Sequence, residues 1–359
     1  MKKLNILFVS IFVFWIYPIW GKPIVLTSHE LNTPPPRVIR VCCTLGSDLS
    51  LFGVPFAKIN QTTSLDQIGP HHYLGNIREG DGIIYTLRGG FIDMAHLRDQ
   101  ADWTAYIYAL IRRSKVNGTM EIDLGHEGGE KKLTVNLSKD LDSLDEVKLA
   151  ARIAYDLSIW HEISTWFGVR TVPMISEQFS SFSVEDAYSN LLGVTLGMRA
   201  IESELPYEEA MTQMISNTLD SLGVVKTEAE NFKALEDVRD VWWTRSARLP
   251  SNRITLERDL DVYPQIIPYL VPELTETSKS AVILYVPECT CNGQSFDDMY
   301  ELRIKLNYRF PKILKRNITQ DDFNSMIAEV AREWNKSIAN TENSKKGASI
   351  KKKKAHGSV

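Results

Sequence analysis

The chain has 359 residues, a charged fraction of 24% and a net charge of −4 at neutral pH. That length supports one large domain or two modest ones with a real core. The nearly balanced charge gives no electrostatic reason to expect a nucleic-acid partner.

Lys2-Lys3 precede an apolar run from Leu4 to Trp20, interrupted only by Asn5, Ser10 and Pro18. This is the pattern of an export signal, spanning 1–21 and ending at Gly21. A retained membrane anchor is the alternative, because the run approaches the length of the shortest spanning helix. No cysteine follows closely enough to accept a lipid. Export makes disulfides the expected state of Cys42-Cys43 and Cys289-Thr290-Cys291. Adjacent cysteines bond each other only through a strained ring, so pairing between the two clusters is favoured. A four-thiolate zinc site is the competing reading, although these pairs are spaced more tightly than zinc ligands usually are.

Residues 22–40 contain Pro34-Pro35-Pro36 and read as an extended lead-in. Val38 to Leu45 suggests a short strand, followed by a loop-rich stretch holding His71 and His72, which are expected to be exposed. Ile83-Ile84-Tyr85-Thr86-Leu87 is a β-branched strand stopped by Gly89-Gly90. A helix is expected from about Ile92 to Lys115, with Asp93, His96, Gln100, Trp103 and Ile107 on one face. Thr119–Leu124 and Lys132–Leu137 alternate around a Gly-rich turn and predict a hairpin. Ser143, with Glu146 three residues on, predicts a capped helix running to Phe167.

Ser183 and Asp186 mark the start of the next helix, Val184 to about Glu202. Pro206 opens another through Leu222, and one more is expected over Thr227–Val241. Strands are expected at Arg253–Leu256, Ala281–Val286 and Tyr300–Tyr308, and a last helix from Thr319 to Ala339. Residues 341–359 carry Lys345-Lys346 and Lys351-Lys352-Lys353-Lys354 and read as a basic, disordered tail. The whole implies an α+β fold: a mostly helical centre flanked by short antiparallel strands, in one large domain over 41–340.

Chemistry-bearing residues are densest from Tyr155 to Asn190. His161-Glu162-x-x-Thr165 occupies the frame in which zinc peptidases place a second histidine, and Thr165 stands in its place, so that motif is absent. A divalent metal (zinc, manganese or iron) would instead be held between helices, by His96 and His161 with a carboxylate from Asp93, Glu185 or Asp186. Glu162 is the candidate general base for an attacking water. Each residue also has a bland reading. His161 beside Trp160 reads equally as a hydrogen-bonded core histidine. Asp93, Glu185 and Asp186 sit where first-turn acids cap helices. Asn190 resists that explanation, because helix interiors disfavour asparagine. Trp103, Trp160 and Trp166 read as core. Nucleotide loops and a Gly-x-Ser-x-Gly nucleophile are missing.

Several phrases carry a resemblance: Arg40-Val41-Cys42-Cys43, Ile68-Gly69-Pro70-His71-His72-Tyr73, Arg88-Gly89-Gly90-Phe91-Ile92-Asp93-Met94-Ala95-His96, Trp160-His161-Glu162-Ile163 and Phe182-Ser183-Val184-Glu185-Asp186-Ala187-Tyr188-Ser189-Asn190. With Ala101-Asp102-Trp103 and Leu191-Leu192-Gly193, they resemble a bacterial family of exported proteins and lipoproteins, domain of unknown function 4056, over roughly Arg40 to Phe310. The resemblance implies one family-sized unit in a Gram-negative envelope, but no activity. Two functional expectations follow. One is a metal-assisted hydrolase of the envelope acting on an envelope substrate. The other is a non-catalytic exported protein that binds a protein or cell-wall partner, with the cluster a structural polar network. In either case the membrane is met only through an uncleaved signal.

Overall fold

The computed structural model describes residues 26–40, 45, 63–170, 177–244, 255–274, 280–311 and 315–356. The expected signal segment and Cys42-Cys43 lie outside them. Helix α1 (Ser28–Asn32) opens the described chain behind a Thr27/Glu30 capping box. No strand forms over Val38–Arg40. The amides of Ile39 and Arg40 donate instead to the Asp99 carboxylate, at 3.0 and 3.3 Å, which leaves no ladder for them to join.

Strand β1 (Ile83–Thr86) pairs antiparallel with β2 (Gly90–Asp93), so Ile92 and Asp93 belong to a strand and not to the expected helix. Helix α2 (Met94–Ser114) therefore starts two residues later than expected. Asp93 is its N-cap, with its carboxylate accepting from the Ala95 and His96 amides. Strands β3 (Thr119–His126) and β4 (Gly129–Asn136) form the predicted hairpin and extend almost to its tip. Helix α3 (Ser143–Trp166) is capped by Asp142 rather than Ser143, since the Asp142 side chain accepts from the Asp145 amide. Glu146 closes no capping box and is drawn to Arg112 and Lys115.

Helix α4 (Asp186–Glu202), α5 (Tyr207–Leu222) and α6 (Glu228–Asp237) follow, the last capped by a Thr227/Glu230 box. Of the two strands expected next, Thr255 makes only an isolated bridge to Trp243, and Arg253 lies outside the described residues. A small ladder joins β5 (Gln265–Ile266) to β6 (Leu284–Tyr285). Strand β7 (Tyr300–Leu306) pairs with β4, and β8 (Asn317–Ile318) with β7, giving a four-stranded antiparallel sheet ordered β3-β4-β7-β8. Helix α7 (Phe323–His356) continues through the basic stretch expected to be disordered.

The fold is thus α+β, with a main apolar core reaching from Ile84 to Val330 and a second, smaller cluster around Tyr85, Phe91 and Trp243. At its centre α2, α3 and α4 pack on one another, and α2 is buried around most of its circumference. Two glycines set the α2–α4 distance. A Cβ at Gly193 would meet the Leu97 carbonyl oxygen at 2.2 Å, and one at Gly197 the Ala101 Cα at 3.0 Å. This close approach brings the first turns of α2 and α4 side by side. The Asp93 amide donates to the Ser189 hydroxyl at 2.9 Å across the join.

Candidate functional site at the α2–α3–α4 junction

The close packing brings together the residues singled out by sequence. Asp93 and His96 stand at the start of α2, His161 and Glu162 in the last turns of α3, and Glu185, Asp186 and Asn190 at the start of α4. All but His161 are buried, and His161 keeps 19% of its side chain exposed. His96 Nδ1 lies 3.4 Å from Asp186 Oδ1, yet makes no hydrogen bond. Burial, helped by the His161 charge, holds the His96 imidazole neutral, with its pKa lowered to about 3.

The carboxylates crowd one another. Burial, then the charges of Glu162, Glu185 and Asp93, push Asp186 well above the usual carboxylate range. Glu185 is raised to about 7, chiefly by burial. Glu162 is raised by burial against the pull of His161. Each also has a structural bond. Asp186 Oδ2 accepts from the Ser183 amide at 2.8 Å. Glu185 accepts from the Ser183 hydroxyl at 2.6 Å and the Leu45 amide at 3.2 Å. Glu162 Oε2 accepts from the Phe182 amide at 2.9 Å. Phe182 has φ +56°, a left-handed conformation unusual for a bulky residue, and it sits where strain is tolerated only if packing imposes it.

Four residues of this region escaped the sequence reading. Glu127, in the hairpin turn, is buried and accepts from His161 Nδ1 at 2.7 Å and Lys131 Nζ at 2.7 Å. Arg37 Nη1 stands 3.5 Å from the same carboxylate. Burial opposes ionisation of Glu127, but Lys131, His161 and Arg37 together hold its pKa well below the usual range. Reciprocally, the Glu127 bond and charge overcome burial and raise His161. Lys131 had a legible signal, because it occupies the inward register of β4 with Gly129, Leu133 and Val135, where alternation calls for an apolar side chain. Arg258, buried between the rings of Trp166 (5.0 Å) and Trp334 (4.5 Å), is the basic group facing Asp186 and Glu162.

Two cavities meet here. An inner pocket of about 20 Å³, room for about one water, is lined by His96, Gln100, Ser158, His161 and Asn190. Gln100 Oε1 is buried there without a partner. The outer cleft, of about 1010 Å³, lies between Pro34–Val38, the β3–β4 turn and Lys305–Asn307. Arg37, Val38, Glu127 and Lys131 line both, and so form the wall between them.

The remaining candidates fall elsewhere. His71, expected to be exposed, is buried, with Nε2 2.9 Å from Asp102 in a network around Arg40, Glu79 and Asp99. His126 is exposed. Trp103, Trp160 and Trp166 are core. Cys289 and Cys291 are free and exposed. Among the described residues, the one group of three metal-type ligand atoms within 4.8 Å of one another is Asp142, Asp145 and Cys291. Two of these already serve the fold: Asp142 caps α3, and Asp145 accepts from the Cys291 amide at 2.9 Å.

A family model matches residues 30–272. The chain belongs to the family described as protein of unknown function (DUF4056). The match takes in every residue of the cluster, from Arg37 to Arg258, and leaves out β6, β7, β8 and α7. It starts before and ends short of the span expected from the sequence phrases. No curated protein and no solved structure matches the chain. Among the described residues no helix is long and apolar enough to cross a membrane.

Proposed function

We propose that this protein is a metal-assisted hydrolase of the bacterial envelope, with its catalytic centre at the α2–α3–α4 junction, beside the inner pocket that His96 and His161 line. The observation that carries the reading is His96: a buried, neutral imidazole whose Nδ1 has no hydrogen bond and stands 3.4 Å from Asp186 Oδ1. Two donor atoms each ~2.1 Å from one ion at the tetrahedral angle are ~3.4 Å apart. His161 supports it, because a carboxylate on Nδ1 is the usual way a protein orients a metal-binding histidine, and its Nε2 has no hydrogen-bond partner among the described residues. Burial and mutual repulsion hold back the ionisation of the crowded carboxylates, a penalty that a bound cation would relieve.

His96, His161 and Asp186 form the ligand set, and their imidazole and carboxylate donors suit zinc, manganese or iron. Asp93 caps α2 and Glu185 holds Ser183 and the Leu45 amide, so both are supporting groups. The three ligand atoms are not within 4.8 Å of one another, so capture of an ion requires side-chain rotation. A divalent ion would supply water activation near neutral pH. Glu162, raised by burial and oriented by the Phe182 amide, takes the proton.

The structural hydrogen bonds of Asp93, Glu185 and Asp186 favour a second reading, a non-catalytic envelope protein whose cluster is a polar network. Elemental analysis of protein purified from a periplasmic extract without a metal-affinity tag separates the two. About one equivalent of metal, lost in a folded His96→Ala/His161→Ala double variant, supports the hydrolase. No metal in the wild type after incubation with zinc, manganese and iron supports the network.

A further inference from the structure

Two polar side chains that line the inner pocket have no role in holding the fold. Gln100 follows His96 by one turn of α2, and Asn190 follows Asp186 by one turn of α4. Each amide therefore shares a helix face with the ligand-type residue before it. They are 8% and 2% exposed. Gln100 Oε1 is buried without a hydrogen bond, and the Asn190 side chain makes none among the described residues. Other polar groups on the pocket wall do have partners. Asp99 accepts from the Ile39 and Arg40 amides, Ser158 donates to the Tyr155 carbonyl, and Glu127 pairs with Lys131 and His161. Leaving a buried amide dry is costly, and orphaned amides around a space of about 20 Å³ mark a place for one water.

We propose that Gln100 and Asn190 are positioning residues that fix a single water in the inner pocket, beside His96 and His161. Gln100 Oε1 takes one of its hydrogens and Asn190 Nδ2 donates to its oxygen, which leaves one hydrogen and one lone pair free. The hydration site stands on this geometry alone. That its occupant is the attacking water rests on the hydrolase reading. In that step the free lone pair forms the new bond, the electron pair of the scissile bond goes to the leaving group, and the water's proton passes to the general base and on to that group. The pocket has no room for a larger nucleophile, so water is the acceptor it selects.

A high-resolution crystal structure of the metal-free full chain tests the site. One ordered water should lie within hydrogen-bond distance of Gln100 Oε1 and Asn190 Nδ2, and Gln100→Met and Asn190→Leu should each lose it. Gln100→Met should also lower the melting temperature, because it removes a satisfied amide; in a dry pocket it would remove an orphaned oxygen and raise it. A pocket empty in the wild type, a water kept by both variants, or a more stable Gln100→Met overturns the site. Should Asn190→Leu unfold, Gln100→Met decides. The role is read from the full chain loaded with cobalt(II), whose visible absorption titrates with its bound water. In Asn190→Leu the midpoint should move to higher pH at unchanged cobalt affinity, since the lost donor no longer favours hydroxide. An unmoved midpoint overturns the positioning role. A protein that holds the water but takes up no cobalt keeps the hydration site and removes the hydrolase reading alone.

Discussion

His161 Nδ1 lies 2.7 Å from Glu127 Oε1, joining the end of α3 to the tip of the β3–β4 hairpin. Lys131 and Arg37 help keep Glu127 ionised, so it can only accept, and Nδ1 must carry the proton. The contact therefore sets both the tautomer of His161 and the availability of its Nε2. The same hairpin tip is locked from the other side, since Trp160 Nε1 donates to the Glu127 carbonyl at 2.9 Å while its ring stacks on Phe310.

Glu127→Gln should preserve shape but remove the negative charge behind the imidazole. Zinc affinity, measured by competition with a chromogenic chelator, is expected to fall about 10–100-fold. Unchanged affinity would mean that His161 is not a ligand.

Gly193→Ala should be severely destabilising, because its Cβ would meet the Leu97 carbonyl oxygen at 2.2 Å, a backbone atom that cannot swing away. A loss of about 2 kcal/mol or more is expected from denaturant melts. A near-neutral result would show that the α2–α4 spacing is not set by this contact.

Arg40 is the cation shared by Glu79, Asp99 and Asp102 at 2.7, 3.0 and 2.9 Å, and all four side chains are buried. Arg40→Met should cost about 3–5 kcal/mol by removing the cation these buried acids share, with only Arg98 beside Glu79 and His71 beside Asp102 left to offset them. Arg40→Lys should rescue little, because a point charge cannot replace the fork. The segment before Arg40 walls both cavities, so a surviving Arg40→Met protein should also bind metal less tightly in the same chelator competition.

Asp259 provides a pH signature. Burial raises its pKa from 3.8 to about 7 in the folded state. Its stabilising contribution is complete below the unfolded value and is lost as pH rises through the folded one. Asp259→Asn should therefore gain on the wild type between pH 4 and pH 8, by up to about 4 kcal/mol. The asparagine can still accept from the Asp261 amide. An equal difference in melting temperature at both pH values would contradict the assignment.

The readable parts of this protein are those set by residues three or four apart. Periodicity and end signals located α3 and α5 within a residue or two, and β3 and β4 followed from alternation around Gly128-Gly129. Where two local codes competed, the reading slipped. Asp93 looks like an early helix acid and caps α2, but it and the residues just before it are drawn into a ladder with Ile83, Ile84, Tyr85 and Thr86.

The sequence alone determined which side chains carry acid, base and ligand chemistry, and that they lie at helix ends, because caps and amphipathic faces are encoded locally. Tertiary structure decided which of them meet. Glycine contacts at 193 and 197 draw α4 onto α2, and the hairpin folds Glu127, itself paired with Lys131, back against His161, more than thirty residues away along the chain. Buried charges must find partners wherever packing offers them, and no spacing rule records a partner that distant.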